Sequence, residues 1–200
     1  MNKFGRLTLG KTMFLQIDIQ QRFQSLSYNY PNIVGVASMM MRASKSLGIP
    51  IIATEQNPKA MLSTDPAITK FYHNDVKRFT KSMFSAYQDA NIKEEIKKIA
   101  PSSIILYGLE SHVCVLQTAL DLLENKYDVH VLVDGISSMK KYDRSCAMLK
   151  MARAGLNLST SESVLFELVR DGKSPLMKHI LPLVKERCQE KSPILPISWD

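Results

Sequence analysis

The chain alternates short apolar, β-prone runs with longer segments in which apolar side chains recur every three or four positions. Thr12 to Ile19, Ile49 to Thr54, Ser103 to Tyr107 and Val129 to Val133 are apolar runs of strand length. They show little alternation, as expected for parallel strands covered on both faces. A weaker strand near Leu156 to Ser159 and a short one near Val76 to Phe79 bring the expected sheet to about six strands. Between the strands, Ile33, Val36, Met40 and Leu47 line one helical face, as do Ile92, Ile96 and Ile99, and again Val113, Leu116, Leu120 and Leu123. Ser159-Thr160-Ser161-Glu162 fits a capping box opening a helix through Leu168, and Pro175 permits another start for Leu176 to Val184.

This alternation predicts an α/β fold: a three-layer, Rossmann-like sandwich with a mostly parallel sheet of about six strands flanked by helices. At 200 residues, with no internal repeat, linker or low-complexity stretch, one domain is expected over residues 1–200. Its core runs from about residue 11 to 183, and residues 189–200, with Pro193, Pro196 and Trp199, read as an irregular arm.

Composition changes this picture little. With 45% hydrophobic and 22% charged residues, disorder and fibrous architectures are excluded. The net charge of +7 would attract anions without specifying any of them. Stretches such as Lys93-Glu94-Glu95-Ile96-Lys97-Lys98 mix both signs at helical spacing, which favours a solvated face over a nucleic-acid stripe. Cys114, Cys146 and Cys188 are odd in number and widely spaced, which suits neither a disulfide framework nor a paired-cysteine zinc site. The run from Met13 to Ile19 is too short to span a bilayer. A cytoplasmic protein without a membrane partner is expected, with the basic, acid-free segment Met1 to Lys11 leaving a mitochondrial address open.

Ligands of open parallel sheets bind beyond the carboxyl ends of the strands, where three reactive residues map. Asp18 closes the first strand, Lys81 follows the short strand ending near Phe79, and Cys114 stands in the first turn of the helix after Tyr107. A helix N-terminus stabilises an anion, so this position predicts a lowered thiol pKa for Cys114. The bland alternative is a small buried apolar residue, the commonest fate of a free cysteine. Asp18 is more telling, because a carboxylate amid Phe14-Leu15-Gln16-Ile17 and Ile19 is costly to bury without a partner. Lys81 alone is unremarkable. Cys146 reads as a core residue, Cys188 as a surface one, and Met39-Met40-Met41 as either core or contact surface.

At these residues the chain resembles the isochorismatase-like cysteine hydrolases. Asp18-Ile19-Gln20-Gln21-Arg22-Phe23 is similar to the family's strand-one aspartate motif, and Ala53-Thr54-Glu55-Gln56-Asn57-Pro58-Lys59 to its strand-two turn. Lys81-Ser82-Met83-Phe84-Ser85-Ala86-Tyr87 resembles the lysine motif, and Gly108-Leu109-Glu110-Ser111-His112-Val113-Cys114-Val115 the nucleophile elbow. Val133 to Ser138 and Thr160 to Ser163 also fit, so the likeness spans about residues 11 to 183. The resemblance implies Cys114 as nucleophile, Asp18 as proton acceptor and Lys81 as the group that orients the carboxylate and stabilises the thiolate. It implies a cis peptide at Leu109-Glu110 and an oxyanion hole from the backbone amides of Glu110 and Cys114. Phe23, Phe84, Tyr87, Glu110 and His112 are the substrate-lining candidates, with His112 reading more simply as a supporting or surface histidine.

Departures narrow the expectation. Nicotinamidases of this superfamily carry a metal-binding Asp and His cluster, whereas His73, His112, His130 and His179 are scattered here, so neither a metal nor another cofactor is expected. True isochorismatases lack the cysteine, so Cys114 points to a small amide, imide or ester-like substrate. Relatives commonly form closed assemblies, so a homo-oligomer is expected. A catalytically weak oligomeric scaffold is the alternative, and an RNA-binding or ribonuclease-like protein is less favoured for want of an aromatic and basic motif.

Overall fold

The computed structural model describes residues 5–188, the side chain of Cys188 excepted. The arm expected over 189–200 and the surface placement expected of Cys188 lie outside the described residues. In chain order the elements are β1 (Thr12–Ile17), α1 (Tyr30–Leu47), β2 (Ile51–Gln56), the short α2 (Pro58–Met61) and α3 (Pro66–Thr69), and β3 (Lys77–Lys81). There follow α4 (Ala90–Ile99), β4 (Ser103–Leu109), α5 (Leu116–Glu124), β5 (Asp128–Ser137), α6 (Lys141–Arg153), β6 (Asn157–Ser159), α7 (Ser161–Val169) and α8 (Met177–Cys188).

The six strands form one sheet in the order β3-β2-β1-β4-β5-β6, with every neighbouring pair parallel. Strand direction explains the apolar runs: alternate residues feed two separate cores. Phe14 of β1 and Ile105 and Tyr107 of β4 join α1, α7 and α8 on one face. Met13, Leu15, Ile17, Ile104 and Leu106 join α4, α5 and α6 on the other. The α1 stripe is buried as its spacing predicts, with Ile33, Val36, Met40 and Leu47 all in the first core. Each such side chain contributes on the order of 1.5–3 kcal/mol when fully removed from water. Met39, Met40 and Met41 are all buried, which assigns that stretch to the core.

Three expectations need correction. The core face of α5 is Leu116, Ala119 and Leu122 with the preceding Val115, whereas Leu120, Leu123 and Val113 are only partly buried. A wide turn over Ser111–Val115 precedes α5 and rotates its buried face relative to the single regular helix the spacing predicts. Cys146 is exposed, because the inward face of α6 is Arg144, Ala147, Met148 and Met151, and position 146 falls off that stripe. The cap of α7 is Thr160, whose hydroxyl accepts from the Ser163 amide, in place of the box begun at Ser159.

Strand order reverses between β1 and β4, the place where a doubly wound sheet opens a crevice at its carboxyl edge. Gly108 makes the close approach there possible. Its φ is +132° and an added Cβ would lie 1.9 Å from the Ile17 carbonyl oxygen. The next peptide bond but one, Leu109-Glu110, is cis, as the resemblance implied.

Candidate active site

Asp18 leaves β1 with φ +48°, a left-handed conformation that ends the strand at Ile17, two residues short of the expected Ile19, and turns its carboxylate over the carboxyl edge. Lys81 is the last residue of β3, and its ammonium is fully buried. The two meet at 2.6 Å between Nζ and Oδ2. The other carboxylate oxygen of Asp18 accepts from the Thr54 hydroxyl at 2.7 Å. Lys81 also donates towards Gln56 Oε1 at 2.8 Å and the carbonyls of Phe84 and Met83 at 3.1 and 3.2 Å. Its three protons are thus offered four acceptors, and the charge is held in one place. A buried ion pair survives only when the remaining donors and acceptors are satisfied in this way.

Cys114 comes from β4 by way of the Ser111–Val115 turn, a single wide turn of the π type that runs into α5. Such turns recur at functional sites because they displace one side chain from regular helical spacing. The thiol is 7% exposed and close enough to Asp18 and Lys81 that both side chains act on its ionisation. Its pKa, however, is pushed up to about 12. Burial is the main cause, the Asp18 charge acts in the same direction, and the Lys81 charge opposes both. The lowering expected from a helix end is overturned: removal from water and the neighbouring carboxylate outweigh the dipole, and the resting group is a thiol.

The isochorismatase domain family matches residues 12–163, three quarters of the chain and every element that carries these groups. The chain belongs to the isochorismatase family. It is 36% identical over 187 residues to isochorismatase domain-containing protein 2 of Xenopus laevis, covering 93% of this chain and 89% of that one. It is 35% identical over 192 residues to isochorismatase family protein 1A of Dictyostelium discoideum. Among solved structures it is similar to the MAR1 ribonuclease of Caenorhabditis elegans, with a TM-score of 0.88, 33% identity, and coverage of 96% of this chain and 98% of that one. The octameric YcaC hydrolase of Escherichia coli, of unknown specificity, shares the fold at a TM-score of 0.80 and 22% identity, over 92% of this chain and 94% of that one.

The remaining candidates of this isochorismatase-family chain divide. Glu110 stands at the edge of the cysteine turn, where its carboxylate accepts from the Met139 amide at 3.0 Å. His112 faces β5 and α6, with Nδ1 3.0 Å from the Ser138 hydroxyl and Nε2 3.9 Å from Asp143. Phe84 is exposed beside Lys81. Phe23 is buried in the core on the α1 side. Tyr87 leaves the group: its ring makes an edge contact with Tyr127, which precedes β5 at the opposite end of the sheet. The ring is buried there beneath the Lys93 ammonium.

Sequence reasoning assigned no role to Thr54, Gln56 and Gln20, which complete the site. Gln20 donates to the carbonyls of Gln56 and Leu62 and accepts from the Gln56 amide, tying the loops after β1 and β2 together. The signal was present as polar residues closing an otherwise apolar β2. Among the described residues, no group of three or more His, Cys, Asp or Glu is placed to hold a metal ion, and no helix is long and apolar enough to cross a membrane. Two surface cavities, of about 590 and 320 Å³, open at the amino ends of the strands, away from Cys114.

Proposed function

We propose that this chain is a cysteine-dependent hydrolase of a small amide, imide or ester-like compound, working through a covalent adduct on Cys114. The observation that carries this reading is the buried Asp18–Lys81 pair at 2.6 Å, both members of which act on the neighbouring Cys114 thiol. Because the resting thiol is neutral, its proton leaves as the S–C bond forms. Sγ attacks the acyl carbon, Asp18 takes the thiol proton, and the amides of Glu110 and Cys114 hold the developing oxyanion. Collapse expels the amine or alcohol, which leaves with the proton from Asp18, and a thioester remains. A water molecule then gives its proton to Asp18 and its oxygen to the acyl carbon. The acid departs and the sulfur recovers the proton. Lys81 fixes the carboxylate in place throughout.

A screen of amides, imides and esters against the wild type and Cys114→Ala tests this. Turnover that falls at least a thousandfold in the variant is expected, in the range removal of a nucleophile costs, and turnover that persists would refute it. The reading includes a closed homo-oligomer and no cofactor. The likeness to a protein described as a ribonuclease supports a second reading, in which the substrate is RNA. Incubation of labelled RNA with wild type and Asp18→Asn decides it: cleavage lost in the variant favours RNA, and intact RNA excludes it.

A further inference from the structure

The carboxyl edge of the sheet carries an apolar surface that the hydrolytic chemistry alone does not require. Among the described residues, Leu26, Leu62, Met83, Phe84, Met139 and Tyr142 are large hydrophobic side chains exposed by 46–61%. All six stand in segments that leave the carboxyl ends of strands: Leu26 after β1, Leu62 after β2, Met83 and Phe84 after β3, Met139 and Tyr142 after β5. Three other exposed large hydrophobics, Leu149, Phe166 and Leu181, are spread over α6, α7 and α8. In the sheet order, Leu62, Met83 and Phe84 form one lip on the β2 and β3 side. Met139 and Tyr142 form a second on the β5 side, with Cys114 of the β4 turn between them.

These lips are attached to the reacting groups. The carbonyls of Met83 and Phe84 accept from Lys81, the Met139 amide donates to Glu110, and the Leu62 carbonyl accepts from Gln20 at 2.6 Å. Leu62 is held at φ +64°, a conformation unfavourable for a bulky residue, with its side chain left in water. Held strain of this kind gathers where a ligand must be met.

Charge narrows the class of ligand. The Lys81 ammonium has more acceptors than protons and offers none to a substrate anion. Lys140 and Lys141 at the mouth lie over the rings of Tyr142 and Tyr28, at 5.5 and 4.5 Å. Arg22 on the turn after β1 and Lys59 in α2 are also exposed at this edge, so a carboxylated substrate would be held by solvated surface side chains.

Resting on the cysteine-hydrolase reading, we propose that the substrate is a neutral acyl compound whose acyl group is an aliphatic chain, seated between the two lips, rather than a carboxylated acid amide. Each methylene buried contributes about 0.8 kcal/mol, close to a fourfold gain, and half-exposed walls realise roughly half of that free energy. Across p-nitrophenyl acetate, butyrate and hexanoate, kcat/KM is therefore expected to rise about twofold to fourfold per methylene, with p-nitrophenyl succinate poorer than the butyrate. In Tyr142→Ser and Leu62→Ser, the hexanoate-to-acetate ratio is expected to fall at least threefold.

Binding to Cys114→Ala and Cys114→Ser, followed by ligand-observed NMR, separates the two readings. Hexanamide bound more tightly than acetamide or succinamate supports the apolar seat, whether or not the esters turn over. If no ester is hydrolysed through Cys114 while hexanamide binds, the cysteine reading fails and the seat stands. If acetate and hexanoate are processed alike, or succinate is preferred, the seat is refuted and the cysteine reading stands. A Leu62→Ser or Tyr142→Ser variant that loses oligomeric mass by light scattering with an unchanged ester ratio would also refute it, because the lips would then serve a second copy.

Discussion

A lysine ammonium and a carboxylate withdrawn from water at 2.6 Å are stable only as a pair. Lys81→Met leaves Asp18 buried without its cation and is expected to cost about 3–5 kcal/mol in denaturant unfolding. The double variant with Asp18→Asn should recover part of that loss, and a single-variant cost below about 1 kcal/mol would mean that water reaches the pair. The thiol makes a second prediction. With the Cys114 pKa raised to about 12, the thiol dominates at every ordinary pH, and its thiolate fraction grows tenfold per pH unit. Iodoacetamide at pH 7 should modify the exposed Cys146 first, and the Cys114 rate should still be climbing at about pH 10, past the usual thiol range near 8.5. A Cys114 rate that levels off below pH 8 would show a thiolate stabilised beyond what this geometry gives. Asp18 was legible in the sequence because a lone carboxylate in an apolar strand demands a partner. The thiol pKa was not, since a helix end can be read from spacing whereas desolvation and the Asp18 charge act only once distant segments meet.

At the scale of elements, apolar runs located four strands and weaker signals the other two, and errors fell at their ends. β1 stops at Ile17 because Asp18 turns left-handed, and β5 continues to Ser137 along the β4 extension. Nothing in the pattern of β5 marks Arg144 of α6, whose guanidinium donates to the carbonyls of Ile136 and Val133 and closes that end of the strand. The α5 face was misread because a five-residue wide turn is indistinguishable from regular helix by apolar spacing. Gly108 carries the most direct test at this scale. Gly108→Ala drives a methyl into the Ile17 carbonyl at a φ that L residues rarely adopt, so β1 and β4 must separate beneath Asp18. A loss above about 3 kcal/mol, or failure to fold, is expected from thermal unfolding, in line with large values arising at special backbone positions. Wild-type stability in that variant would contradict the register Ile17↔Gly108.

For the whole molecule, the parallel order β3-β2-β1-β4-β5-β6 gathers residues from four distant segments at one edge. That convergence is general to doubly wound sheets, which is why fold and location could be read before any distance was known. The apolar lips could not, because exposure depends on how loops from β1, β2, β3 and β5 fall beside one another. The family match covers the framework, residues 12–163, and the chemistry rests on what the chain places within it. The decisive measurement is peptide mapping by mass spectrometry after a brief reaction with p-nitrophenyl butyrate, quenched in acid. A butyryl group on Cys114 is expected in the wild type, and its loss in Asp18→Asn. Steady turnover with no acyl group on Cys114, or with undiminished rate in Cys114→Ala, would contradict the covalent mechanism.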